Sequence, residues 1–208
     1  MNITNFTRKF IPLVSAIKAE NIKAVQNIPE QRLAQAIQAG DKSIVHVGMN
    51  QTAAARILPG GINTVYTDGL AGCNATLVQA KGLDGNPIAI MSHYTPLAQS
   101  RANNVEAIQK QLEKYGYYID PKSKPKVFFN VKGEEVDGVV KEVENPLMKQ
   151  LEPIFKKFFP QGWEQKVIPY SNKNTSPFDS NAFIAQFDNN MMKLTGVREQ
   201  EHFINLVG

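Results

Sequence analysis

One cysteine stands in the 208 residues of this chain. Without a second thiol there is no internal disulfide framework, and a cysteine-rich zinc site is excluded. Histidine is almost as scarce: His46, His93 and His202 are the three, none at a metal-ligand spacing from another, so no metal centre is expected. No apolar run reaches the roughly 18 residues that a membrane-spanning helix needs. The stretch that mimics a secretory signal, Arg8-Lys9 followed by residues 10–17, is short, interrupted by Pro12 and closed by Lys18, and reads as helix or extension. The glycines form neither a phosphate-binding Lys-Ser/Thr loop nor a strand-to-helix dinucleotide fingerprint. The acidic pairs at Glu134-Glu135 and at Glu142 and Glu144 sit among turn or charged residues, which argues against a two-carboxylate glycosidase.

Charge of one sign is also in short supply. The formal net charge is only +4, and the basic clusters at residues 122–126 and 156–157 read as solvated faces. Nucleic-acid binding wants a denser basic stripe, so none is expected. What is present is ordinary for a globular chain: 42% hydrophobic and 20% charged residues, enough to bury a sizeable core. The length suits one domain at residues 29–208, preceded by an N-terminal extension or docking helix at residues 1–28.

Periodicity lays out the elements. Residues 28–38 read as a helix with Pro29 in its first turn. Residues 43–48 read as a strand on which His46 points opposite to Val45 and Val47; it is a candidate second histidine for a site. Residues 49–56 read as a short helix and 62–66 as a strand. Residues 97–115 form a long helix with a core stripe of Ala98, Ala102, Val105, Ile108 and Leu112. Strands are expected at 126–131, 136–143, 163–170, 183–187 and 191–194, with a turn at 132–134. An amphipathic helix spans 147–159, kinked at or starting from Pro153, and a polar loop runs over 171–177. Many short strands in hairpins with two or three helices argue for an α+β fold: a β-sandwich or bent mixed, mostly antiparallel sheet flanked by helices.

The chain is organised around residues 67–94. Thr67-Asp68-Gly69-Leu70-Ala71-Gly72 leads into Cys73. Residues 74–81 read as a strand, 82–86 are dense in turn residues, and 87–94 read as the returning strand with His93 on it. A turn centred on Leu83 sets Cys73 opposite His93, with Cβ atoms roughly 4.5–5.5 Å apart. A thiol beside an imidazole is the pairing that nucleophilic acyl transfer needs, because the base raises the thiolate fraction and later protonates the leaving amine. Thr67, six residues before Cys73, is placed to hold the imidazole in one tautomer. The Cys73 N–H is a natural oxyanion donor, and Gly72 and Asn74 flank the nucleophile next to oxyanion and substrate. Taken singly, a lone cysteine is more often a small buried hydrophobe, and a lone histidine on an apolar strand a core residue.

This order of features resembles the Cys-His protein glutamine deamidases, which include the CheD-like chemoreceptor deamidases and the catalytic domain of the cytotoxic necrotizing factor toxins. The toxins carry Leu-Ser-Gly-Cys where this chain has Leu70-Ala71-Gly72-Cys73. The likeness covers residues 64–95, and the chain departs from it in Ala71 and in a Cys-to-His gap of 20 residues. The resemblance implies Cys73 as nucleophile, His93 as acid and base, and Thr67 as the orienting residue. It also implies hydrolysis of a glutamine carboxamide on a protein substrate, through a thioester and with no cofactor. A bacterial toxin or effector delivered to a target-cell cytosol, or an enzyme of its own cytoplasm, would fit. Two rivals stay open: a cysteine hydrolase of small amides, and a non-catalytic protein-interaction domain that keeps the fold.

Overall fold

Strand β4 (Asn74–Lys81) is buried along nearly its whole length, and so is β5 (Pro87–Tyr94). Strands with both faces covered belong at the centre of a sheet that has a layer on each side. A computed structural model of the chain describes residues 28–137, 139–141, 146–172 and 179–206. Among them are three α-helices, α1 (Pro29–Gln38), α2 (Ala98–Tyr115) and α3 (Pro146–Phe158). The remaining strands are β1 (Ile44–His46), β2 (Thr52–Arg56), β3 (Thr64–Thr67), β6 (Lys126–Lys132), β7 (Glu134–Val136), β8 (Val139–Lys141), β9 (Glu164–Tyr170), β10 (Phe183–Asp188), β11 (Met191–Gly196) and β12 (Gln200–Asn205).

Two five-stranded sheets and one small hairpin result. One sheet has the order β1-β3-β10-β11-β12, the other β2-β5-β4-β6-β9, and β7 pairs with β8. Only β1–β3 and β6–β9 are parallel. The inner faces of the two large sheets share one core, with Leu77, Met91, Phe128 and Ile168 from one sheet against Val65, Phe183, Ala185 and Leu194 from the other. Side chains one residue out of phase point away from that core. On the second sheet Val78, Ile90, Val127 and Phe129 meet Ile108 and Leu112 of α2 and Leu151 and Phe155 of α3. On the first sheet Tyr66 and Ile184 meet Leu33 and Ile37 of α1. The fold is α+β, a β-sandwich flanked by helices on both sides, as the pattern of short strands suggested.

Four local readings need correction. Residues 49–56 form no helix; Thr52–Arg56 pairs antiparallel with β5 over five positions. The helix preference of Ala53-Ala54-Ala55 is at most about 0.7 kcal/mol per residue over ordinary residues, whereas the open edge of β5 offers a ladder of backbone partners. On α2, Ala98 and Ala102 are exposed and Asn104 takes the buried place, where the Ser92 hydroxyl donates to its Oδ1 at 3.3 Å. Helix α3 starts at Pro146 and runs through Pro153. The 132–134 turn and 136–143 strand are replaced by the β7–β8 hairpin, turned at Asp137 with φ 54°. Its residues 142–143, the N-terminal extension up to residue 27 and most of the 171–177 loop lie outside the described residues.

Leu77 is fully buried at the centre of the shared core, and Leu83 is 66% exposed at the β4–β5 turn. Leu77→Ala is expected to cost about 2–5 kcal/mol in urea denaturation. Leu83→Ala is expected to stay within about 0.5 kcal/mol of the parent. Equal losses at the two positions would contradict the layering.

Candidate active site

Side-chain alternation carries Thr67 and His93 to the same place from different sheets. Thr67 follows Val65 on β3 and points into the sandwich, and His93 follows Met91 on β5 and does likewise. Thr67 is fully buried and His93 is 2% exposed. They meet with Thr67 Oγ1 2.8 Å from His93 Nδ1, while the Thr67 hydroxyl donates to the Val47 carbonyl at 2.6 Å. A hydroxyl has one proton to give. Since Val47 takes it, Thr67 accepts from His93, and the imidazole proton sits on Nδ1. Nε2 is left as a bare lone pair, buried and with no hydrogen-bond partner among the described residues.

The hairpin register differs from a turn centred on Leu83. Asn74 pairs with Tyr94, Ala75 with His93 and Lys81 with Pro87, so the turn is centred on Asp84. The turn chemistry explains this. Asp84 Oδ1 accepts the Asn86 N–H at 3.2 Å, Gly82 N–H donates to the Asn86 carbonyl at 2.8 Å, and Gly85 takes φ +83°. Cys73 therefore lies one position beyond the ladder, diagonal to His93 rather than opposite it. The shift is two residues along one strand, so Cys73 stays on the inner face with Ala75 and packs against the shared core.

The loop that presents Cys73 is tied down from a distance. Leu70 is fully buried, and its N–H donates to the Asn181 carbonyl at 3.0 Å. Gly72 has φ +107°, a conformation that favours glycine. Its N–H donates to the Leu70 carbonyl at 2.9 Å and to the Tyr170 hydroxyl at 3.1 Å. The Tyr170 hydroxyl donates in turn to the Cys73 carbonyl. The Cys73 N–H makes no hydrogen bond among the described residues, and the residue is half-buried. Burial pushes the Cys73 thiol above its ordinary range. Burial also pulls the His93 imidazole down, against the opposing pull of the Asp68 carboxylate and with a small push from His46. Burial thus disfavours charge on the thiol and on the imidazole alike.

The structure joins Thr67 to His93 and keeps Cys73 on the same inner face, one position beyond the ladder, and the other anticipated residues divide. The Gly72 N–H is already bonded, so it is no oxyanion donor. Asn74 is corrected from a substrate-adjacent role: it alternates to the face opposite Cys73, and its Oδ1 accepts the Lys132 N–H at 3.1 Å. His46 points away from the sandwich, where its Nε2 lies 3.0 Å from Asp68 Oδ1 and its ring 4.8 Å from that of Tyr66. Sequence reasoning missed the Val47 carbonyl and Tyr170. Tyr170 stands 97 positions from Cys73 and arrives through the parallel β6–β9 pairing, which leaves no local signal. Among the described residues no cluster of His, Cys, Asp and Glu is arranged to hold a metal, and no helix is long and apolar enough to cross a membrane. Comparison with family models and with curated proteins gives no match to the chain.

Thr67→Val keeps the shape and removes the hydroxyl, leaving the Val47 carbonyl and the His93 Nδ1–H without their partner. The expected loss is about 1–3 kcal/mol per orphaned group. The ¹⁵N shifts of His93 should report the Nδ1–H tautomer in the parent and a tautomer mixture in the variant; a parent that is mostly Nε2–H would refute the assignment. The lowered His93 pKa also sets a pH dependence. In the unfolded chain the imidazole takes a proton near its ordinary pKa of about 6.5. In the fold it does so only at lower pH, so the unfolded state binds more protons in that window. The stability contributed by neutral His93 is complete above the ordinary value and is lost as pH falls through the depressed one. His93→Gln should flatten the pH-stability slope below neutrality, and an unchanged slope would show that burial does not shift this group.

Proposed function

We propose that this chain is a cysteine-dependent amidohydrolase that deamidates glutamine side chains on a protein substrate. The observation that carries the reading is the Thr67–His93 hydrogen bond, which leaves the buried His93 Nε2 without a hydrogen-bond partner among the described residues, on the inner face to which the only cysteine also belongs. A buried acceptor without a partner is costly to keep, and a general base needs one. The glutamine specificity and the delivery of the protein as a bacterial toxin or effector rest on the resemblance over residues 64–95. An enzyme working in its own cytoplasm has the same chemistry.

The steps start from a neutral thiol and a neutral imidazole. As Cys73 Sγ attacks the carboxamide carbon, its proton passes to His93 Nε2. Such contacts are often long in a free enzyme and tighten when substrate is bound. The oxyanion is stabilised by the unbonded Cys73 N–H. His93 returns the proton to the departing amine, the C–N bond breaks and ammonia leaves a thioester. Water then gives a proton to Nε2 and attacks the thioester carbon. The C–S bond breaks, glutamate is released and the thiol is restored. Thr67 fixes the ring throughout, and no step calls on a cofactor.

Burial of both groups, with no hydrogen bond between Sγ and Nε2, supports a second reading: a protein-interaction domain in which Cys73 only packs. The two readings separate on casein and on a mixed protein extract. A deamidase releases ammonia and leaves the mass change of a Gln-to-Glu conversion. Cys73→Ala should abolish this, and His93→Ala should reduce it by about 10²–10⁴-fold. Because His93 stays neutral below its ordinary range, the rate should persist to pH values under about 6.5. A parent with no ammonia release, whose thiol alkylates only on unfolding, would establish the interaction domain instead.

A further inference from the structure

We propose that Tyr170 is a positioning residue that aims the Cys73 N–H at the developing oxyanion, an inference that rests on the acyl-transfer reading above. The argument begins with how few groups control that N–H. It belongs to the Gly72–Cys73 peptide, whose orientation is set by the backbone on either side. The Tyr170 hydroxyl holds both sides at once, accepting from the Gly72 N–H at 3.1 Å and donating to the Cys73 carbonyl. The peptide between those two anchors is bracketed by one oxygen atom.

The bracket is built to stay in place. Tyr170 is fully buried at the end of β9, its strand pairs with β6 over seven positions, and its ring lies in the shared core. Burial raises the phenol well above its ordinary range, so the hydroxyl stays protonated and remains a donor. Gly72 at φ +107° permits the turn that the bracket requires. The Cys73 N–H has no acceptor among the described residues. A fixed donor with its acceptor position open is what stabilises charge in a transition state, because no reorganisation is needed when the charge appears. Tyr170 touches neither thiol nor imidazole in any hydrogen bond of the structure, so its effect runs through the peptide.

Two reactions of the same thiol test this without knowing the natural substrate. Alkylation by iodoacetamide is a displacement at a saturated carbon and forms no oxyanion. Acylation by p-nitrophenyl acetate forms one: the C–S bond is made, the thiol proton passes to His93 Nε2, and p-nitrophenolate leaves as the ester C–O bond breaks. Tyr170→Phe should leave the alkylation rate unchanged and lower the acylation rate by about tenfold to a hundredfold, short of or equal to the loss of a whole oxyanion donor. Tyr115→Phe, which removes a hydroxyl that donates to the Ala54 carbonyl at 3.3 Å on the far side of the second sheet, should change neither rate. Thermal melts of both variants check that each is folded. If Tyr170→Phe slows both reactions alike, or slows neither, the positioning role is overturned while the nucleophile stands. If acylation of the parent persists in Cys73→Ala, or the folded parent is inert to both reagents, the acyl-transfer reading itself falls.

Discussion

The hydrogen bond from His93 to Thr67 joins the two sheets where the candidate chemistry lies, and the remaining site geometry depends on it. Three strands meet there. The Thr67 hydroxyl on β3 is oriented by the Val47 carbonyl just after β1, and the imidazole comes from β5 in the other sheet. A threonine can accept from the histidine only because its own proton is already committed. Remove the Val47 carbonyl from the arrangement and the tautomer is no longer determined. The precision of the imidazole is therefore inherited from the packing of Leu77, Met91, Val65 and Phe183, which fixes the separation of the sheets. Sites carried on strands are held more tightly than sites on loops, and here His93 and Thr67 are both on strands.

The candidate nucleophile, Cys73, is on a loop, and it is restrained in another way. Leu70 plugs into the core, Asn181 accepts the Leu70 N–H, and Tyr170 holds the Gly72 and Cys73 backbone. The Asn181 N–H is itself bonded to Glu30 of α1 at 3.1 Å. Elements far apart in sequence converge on five residues of loop. The outcome is a thiol held on the inner face at a diagonal from its base, while the adjacent N–H stays unbonded. Burial works on both partners in the same sense, disfavouring charge on thiol and imidazole alike. A resting ion pair would need a neighbouring positive charge or a donor to the sulfur, and the described residues around Cys73 supply neither. In the proposed reaction, proton transfer would then be coupled to attack rather than completed before it, which is the regime in which a fixed base with a free lone pair matters most.

Much of this was legible in the sequence, and the reasons differ by element. β4 and β5 could be read to the residue because their apolar runs end at Gly82 and Asn86, where the turn chemistry is local. Cys73 and His93 share the inner face by a period of two, which survives a register shift of two residues. Cys73 therefore keeps the inner face although the turn is centred on Asp84 instead of Leu83. β2 was not legible, since an alanine run carries no strand signal and takes its conformation from the edge of β5. Ala98 and Ala102 misled for a related reason: alanine sits equally well on either face of a helix, and only Ser92 beneath Asn104 reveals which face is buried. Tyr170 and the Val47 carbonyl were out of reach, because a backbone acceptor has no residue type and a tyrosine ending a strand is ordinary until its partners are known.

The cost of the arrangement falls on polar groups. The inner face contains Thr67, His93 and Asn130, where two sheets of similar size would ordinarily bury hydrocarbon. Asn130 is compensated: its Nδ2 donates to the Ile168 carbonyl at 2.7 Å and its Oδ1 accepts the Val197 N–H at 3.4 Å, joining the second sheet to the first. Thr67 is compensated as well. His93 is compensated on one nitrogen only, its Nε2 having no hydrogen-bond partner among the described residues. A sandwich selected for stability alone would fill that place with a leucine or a phenylalanine and gain apolar burial in place of an unpaired acceptor. The buried polar groups that are fully satisfied read as structural, and the unsatisfied nitrogen among these three, on the face that also holds the only cysteine, is what the proposed chemistry would use.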